Sequence, residues 1–369
     1  MKDYAMTIHY DERSKYKDRA KRTDHQNAPA RIRVKTILVG VLVLSCILLL
    51  TFITIYKNLN GQNILTAIKE ISPVAVFICI VLIFGYSFFE GLNIHRALRL
   101  AGYRINIFRC WKYAIAGFFY SGITPSSSGG QPMQIYYMYE DGISVSDGLF
   151  AVIMQLFGHI GTIVVLGLAG LAAMHGDIVQ ATGHLRGLIV LGITLNFLYF
   201  LFLLVILFTK RGINIVSTVL IAIVSRVSRK GSGKPADRII AVLEQYRGIF
   251  EIVKKDRHII WKVLLTGLVQ WACLFGIQAA VYTGLGLSGF GIVKIIFLQA
   301  VIQISVGFLP VPGSAGLSEG MAFLLYQLMY PLNLLGEGVL LGRCFSMYFV
   351  IILYGIIILL IYIIRRYKQ

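Results

Sequence analysis

Eight apolar stretches, each long enough to cross a hydrocarbon core about 30 Å thick, follow one another between Val34 and Ile364. Wherever such a chain meets lipid it must satisfy its backbone polar groups internally, and helices do this within one segment. Composition agrees: 57% of the 369 residues are hydrophobic and 14% are charged, against about 25% charged in soluble domains. That excess excludes an ordinary water-soluble enzyme, a small disulfide-stapled secreted protein and a disordered chain, none of which exposes so apolar a surface. The expected class is an all-α polytopic membrane protein, with no room in its length for a second, soluble catalytic domain.

Charge placement orients the spans. Of 35 Lys and Arg, ten lie in residues 1–35, five in 96–112, twelve in 210–262 and three in 365–368. Basic loops favour the cytoplasmic face and its anionic headgroups, so these blocks share one side. The net charge of +18 therefore describes topology and not a nucleic-acid partner, because the basic runs border spans and lack an interleaved aromatic surface. Residues 1–33 read as a basic cytoplasmic arm and 34–369 as one transmembrane domain. Within it, 209–260 alternates apolar and basic positions at helical spacing and reads as cytoplasmic amphipathic helices. Full spans are expected over 34–56, 73–91, 149–174, 188–208, 263–285 and 339–364, with both termini cytoplasmic. The five cysteines have no paired or ligand spacing and read as packing residues.

Two apolar stretches, 107–139 and 292–333, do not fit this alternation. A single crossing at either would put a basic block on the wrong side. Each is also interrupted, the first by Ser121-Gly122-Ile123-Thr124-Pro125-Ser126-Ser127-Ser128-Gly129-Gly130-Gln131-Pro132 and the second by Gly307-Phe308-Leu309-Pro310-Val311-Pro312-Gly313-Ser314-Ala315-Gly316-Leu317-Ser318-Glu319-Gly320. Proline removes a backbone donor and disfavours helix before it, and glycine permits turns closed to other residues. Unwound backbone cannot face lipid, so both breaks must be buried in protein or line a cavity. The stretches are therefore expected to be broken re-entrant hairpins entering from opposite faces, giving about six spans plus two hairpins in an inverted repeat. Paired interruptions of this kind point to a transport site near the midplane.

Charged residues inside apolar sequence are few and informative. Glu319 sits in the second break without a basic neighbour in sequence, and Arg343, about two turns inside the last span, is its candidate partner or a phosphate clamp. Glu90 ends the second span at an expected interfacial position, and His159 lies deep in the third; both are candidates for a proton or polar relay. Gln270, Gln278, Gln299 and Gln303 have spacings suited to hydrogen bonds between helices. No His, Cys, Asp and Glu cluster has metal-ligand spacing, and no phosphate-binding glycine loop or nucleophile–base pair stands out, so no cofactor, metal or catalytic residue is expected.

At the two breaks, ITPSSSGGQP at 123–132 followed by IYYMYEDGIS, and FLPVPGSAGLSEG at 308–320, the chain resembles the flippase-like membrane domain of the lysylphosphatidylglycerol synthase family, also called the multiple peptide resistance factor family. The hydrophobic pattern matches from about 34 to 364, and the form resembled is the free-standing one. Relatives commonly carry an acidic residue after the paired glycines, where this chain has Gln131. The resemblance implies a multi-pass plasma-membrane protein that moves a phospholipid such as lysylphosphatidylglycerol between leaflets, with lipid metabolism and antibiotic resistance attached to the family name. Full-length relatives append a domain that transfers lysine from lysyl-tRNA to phosphatidylglycerol; this chain ends at Gln369, and that domain is expected to be missing. A separate synthase and a second copy of the chain are left open as protein partners, with a phosphatidylglycerol lysyltransferase-type enzyme as a second class of function and a non-transporting scaffold for a separate synthase as a third. The expected lipid contacts are Thr124, Pro125, Ser126, Ser127, Ser128, Gly129, Gly130 and Gln131 in one half, and Pro310, Pro312, Gly313, Ser314, Gly316, Glu319 and Arg343 in the other.

Overall fold

The computed structural model describes residues 69–124, 128–183, 186–209, 258–307 and 317–367. The N-terminal arm, the first apolar run and the segment 210–257 lie outside the described residues. So do the break residues 125–127 and 308–316.

Every regular element among the described residues is helical. They are α1 Pro73–Leu100, α2 Ile107–Ile123, α3 Gly130–Glu140, α4 Val145–Ala173, α5 His175–Thr182, α6 Arg186–Phe208, α7 His258–Gly284, α8 Ile292–Val306, α9 Leu317–Tyr326, α10 Leu335–Arg343 and α11 Phe349–Tyr367, with a π-helical turn Cys344–Tyr348 joining the last two. Helices α1, α4, α6 and α7, and the continuous stretch Leu335–Ile361, are long and apolar enough to cross a membrane, and the chain is a multi-pass membrane protein. Large apolar side chains such as Phe77, Val81, Leu198 and Ile356 point outward, as they must where the neighbour is lipid.

Local chemistry sets the helix ends. Pro73 opens α1, where its missing N–H costs nothing. At the far end Gly102, at φ 88°, closes the helix as its N–H bonds Arg99 O and the Tyr103 N–H bonds Leu98 O. Asn106 caps α2 by accepting from the Phe108 N–H, and Ser144 caps α4 by accepting from the Asp147 N–H. Tyr103, in the α1–α2 loop, donates to Asp147 at 2.7 Å. Burial, and then the Asp147 charge, push its phenol well above the usual tyrosine range.

Helices α1 and α7 form the central pair. They run antiparallel: the Ser72 N–H bonds Gly284 O at one end, and Arg96 Nη1 donates to Lys262 O at the other. Small residues bring the helices together, as is usual in membranes. A Cβ on Gly284 would meet Ala75 at 2.5 Å, and one on Gly267 would meet Gly158 O of α4 at 2.9 Å. Helix α2 leaves from the Arg96 end and α8 from the Gly284 end, so the two hairpins start from opposite ends of the pair.

Each hairpin returns to the end it left. Lys112, early in α2, bridges Asp141 just past α3 at 2.5 Å, and Tyr113 donates to the same carboxylate. In the second hairpin Tyr330, just past α9, packs its ring 5.3 Å from Tyr282 near the end of α7. At 1.5 Å per residue, α2 and α8 reach about 26 and 22 Å, less than the hydrocarbon thickness. The hairpins also exchange supports: α2 packs on α11, from the second half, and α8 packs on α4, from the first.

Candidate functional site

At the first break the structure describes one rim of the interruption. Thr124 Oγ1 donates to Tyr120 O at 2.7 Å and accepts from the Gly129 N–H at 2.9 Å, so its hydroxyl ties the end of α2 to the start of α3. Gly130 is buried, and a Cβ there would collide with Ser121 Oγ and lie 2.7 Å from Gly117 O. Gly117, across from it, leaves the space through which the Gln134 side chain passes. Ser128 is exposed and Gln131 half-buried, whereas Pro125, Ser126 and Ser127 lie outside the described residues.

Gln134 leads to a group that the sequence placed elsewhere. Glu90 was expected at the interface, yet only 5% of it is exposed, because α1 continues to Leu100 and carries it below the end of the bundle. Its Oε1 accepts from Gln134 Nε2 of α3 at 2.6 Å and its Oε2 from Gln270 Nε2 of α7 at 3.1 Å. The first hairpin is thereby fastened to the central pair through one carboxylate. The level lies six residues, about 9 Å, inside the Arg96 end.

The second hairpin has its own charged cluster. Ser318 and Glu319, in the first turn of α9, are buried, and Glu319 Oε1 accepts from Arg343 Nε at 2.8 Å. The sequence pairing of these residues is thus realised. Their side chains are 10% and 19% exposed, so most of each charge is withdrawn from solvent, where mutual neutralisation is required. Arg343 is the last residue of α10, immediately before the π turn; such turns often occur at functional sites. The guanidinium borders a cavity of about 80 Å³ also lined by Gln278, Gln299, Gln303, Ser318, Tyr326 and Ser346. Gln278 donates to Tyr330 Oη at 2.9 Å and to Gly338 O at 3.1 Å, and Gln299 donates to Tyr326 Oη. Gln278 lies six residues from the Gly284 end of α7, so this cluster is as deep from one end of the pair as Glu90 is from the other. Pro310, Pro312, Gly313, Ser314 and Gly316 lie outside the described residues.

His159 belongs to neither cluster. Its ring lies 4.3 Å from that of Trp271, whose Nε1 donates to His159 O, and its Nδ1 has no hydrogen-bond partner. Its surroundings are aromatic, and the structure links it to no chain of polar groups. Sequence reasoning missed Gln134 and Tyr326. The available signal was that each follows a break by one to three helical turns, facing back into its own hairpin.

Among the described residues no group of three or more His, Cys, Asp and Glu could hold a metal. The arrangement offers instead two buried polar stations about 12 Å apart along α7, from Gln270 to Gln278, each joining the second arm of a hairpin to the scaffold. One carries an ion pair beside a cavity.

The chain is 23% identical to a "UPF0104 membrane protein" of Archaeoglobus fulgidus over 289 residues, covering 76% of this chain and 85% of that protein. A family model described as the lysylphosphatidylglycerol synthase TM region matches residues 37–353. With that match spanning both hairpins and every described helix from α1 to α10, the chain belongs to the lysylphosphatidylglycerol synthase TM region family.

Proposed function

We propose that this protein is a lipid translocase of the plasma membrane that carries an anionic or aminoacylated phospholipid headgroup, such as that of lysylphosphatidylglycerol, between leaflets along the surface where the two hairpins meet the central pair. The observation that carries the reading is the buried Arg343–Glu319 pair at the second hairpin, beside a polar cavity. An arginine fork matches a lipid phosphate, and Glu319 holds the guanidinium in place until a phosphate replaces it. Glu319 also supplies a negative partner for the ammonium of an aminoacylated headgroup. A cavity of about 80 Å³ holds a few waters and falls well below the roughly 300–1,000 Å³ of ordinary small-molecule sites. A headgroup therefore enters only when α9 moves away from α10 and the ion pair opens. Thr124, by contrast, acts in this reading as a brace for the first hairpin and not as a headgroup ligand. A groove with such groups lowers the desolvation barrier that keeps headgroups from crossing hydrocarbon.

The test is dithionite quenching of fluorescent phosphatidylglycerol and its lysyl derivative in proteoliposomes. The protein should accelerate loss of inner-leaflet fluorescence over empty vesicles, and Arg343→Lys, which keeps the charge but not the fork, should slow it at least severalfold. No acceleration for any phospholipid headgroup would overturn the reading in favour of a scaffold.

A further inference from the structure

The carboxylate of Glu90 has only neutral partners. Its two hydrogen bonds come from amides, and no Lys, Arg or His of the described residues bonds it. Glu90, Gln134 and Gln270 are 5%, 3% and 0% exposed, so solvent does not neutralise the charge. Each amide has a second face that is unused: Gln134 Oε1 and Gln270 Oε1 are buried without a hydrogen-bond partner. One formal negative charge and two amides, each with an unsatisfied carbonyl oxygen, thus meet from three separate elements, α1, α3 and α7. A lone buried carboxylate is costly, and so is each buried, unpaired carbonyl.

One kind of ligand satisfies all of these oxygens together, a hard cation, which takes carboxylate and amide oxygens. The charge count selects its valence. With one acid and two neutral amides, a single positive charge balances the site, whereas a divalent ion would leave an uncompensated charge in the bundle. Rotation about the last side-chain bond exchanges the nitrogen and oxygen of each glutamine. Each amide can therefore donate to the bare carboxylate or turn its oxygen to an ion seated against it.

We propose that Glu90, Gln134 and Gln270 form a binding site for a monovalent alkali-metal cation. Because Gln134 belongs to the first hairpin and the other two to the central pair, the bound ion clamps that hairpin to the scaffold. The site makes no use of Arg343 or of any lipid, so it stands or falls independently of the translocase reading.

The test uses the full chain in a neutral detergent at fixed pH and constant ionic strength, with Na⁺ exchanged for choline. Thermal unfolding should shift upward and saturably with Na⁺, and ²²Na⁺ should bind at about one ion per chain. Glu90→Gln keeps the shape and removes the charge, and should raise the half-saturating Na⁺ concentration more than tenfold. Gln134→Leu keeps the carboxylate and removes one oxygen, and should raise it severalfold; it serves if Glu90→Gln does not fold. Identical unfolding of the unaltered protein in Na⁺ and choline, with no stoichiometric ²²Na⁺, would overturn the proposal. So would a response to pH alone, which would make a proton the occupant, or an undiminished Na⁺ response in both variants, which would put the ion elsewhere.

Discussion

Replacing Arg343 by Met leaves Glu319 with its charge and without the guanidinium that donates to it. The pair is 2.8 Å apart, with side chains 19% and 10% exposed, so the remaining carboxylate recovers little solvation. Removal of one member of a buried pair costs about 3–5 kcal/mol, and replacing both with neutral groups of similar volume is often close to neutral. With the partial exposure taken into account, the lower end applies, about 3 kcal/mol for Arg343→Met, which is roughly a 150-fold shift in the folding equilibrium at 1.4 kcal/mol per decade. Glu319→Gln strands the cation on a longer, partly exposed side chain and should cost less, about 1–2 kcal/mol. The double variant should cost no more than about 1 kcal/mol, giving a coupling energy of about 3–5 kcal/mol, at or above the upper end for neighbouring residues. Reversible unfolding in mixed micelles measures the four stabilities, and the same four proteins go into the fluorescent-lipid assay. There the double variant separates two roles. If the pair only holds α9 against α10, restoring neutrality restores transport; if the charges handle the headgroup, the double variant folds but transports at less than a tenth of the normal rate, which is the expected result. Additive single effects would refute the energetic argument, and full transport by the double variant would refute the headgroup role.

Three further outcomes follow from the geometry. Gly130→Ala should destabilise the first hairpin by about 1–3 kcal/mol, since the methyl group meets Ser121 and Gly117 O, and the loss should appear as protease cleavage between α2 and α3. In a cysteine-free background, Arg104→Cys and Ser288→Cys, exposed in the loops that follow α1 and α7, should react with a membrane-impermeant maleimide from opposite faces; labelling from one face would contradict the inverted hairpins. The Tyr103 phenol has a raised pKa, so its contribution to stability is complete below about pH 10 and declines as pH rises beyond that. Tyr103→Phe should reduce the alkaline slope of stability measured between pH 9 and 11, while losing the bond to Asp147 at every pH.

Among the described residues, the spans and the arms of the two hairpins were legible because run length and Pro/Gly punctuation are local signals. Helices over 145–173, 186–208 and 258–284 fall within a few residues of the runs predicted. Glu319 and Arg343 stood out for a related reason, as isolated charges in apolar sequence whose need for one another is physical. Glu90 was harder. It lies six residues before Arg96, which makes it look interfacial, and its partners are 44 and 180 positions away. Only the close approach allowed by Gly117 and Gly130 and the antiparallel crossing of α1 on α7 bring them together. The π turn at Cys344–Tyr348 was also hidden, because the sequence CFSMY contains neither proline nor glycine to announce it.

The exchange of supports between the halves limits how the molecule can move. Since α2 leans on α11 and α8 on α4, neither half can rock as a separate rigid body without stripping a hairpin from its backing. A motion that keeps both contacts would tilt the two hairpins together about the α1–α7 axis. In an ideal inverted repeat such a tilt would convert each hairpin's arrangement into the other's, and the two end states would have equal energy. The chain departs from that ideal at the two stations, where one hairpin is held by neutral amides on a lone carboxylate and the other by an ion pair. In the proposed translocase, the difference between those two fastenings would set the resting bias.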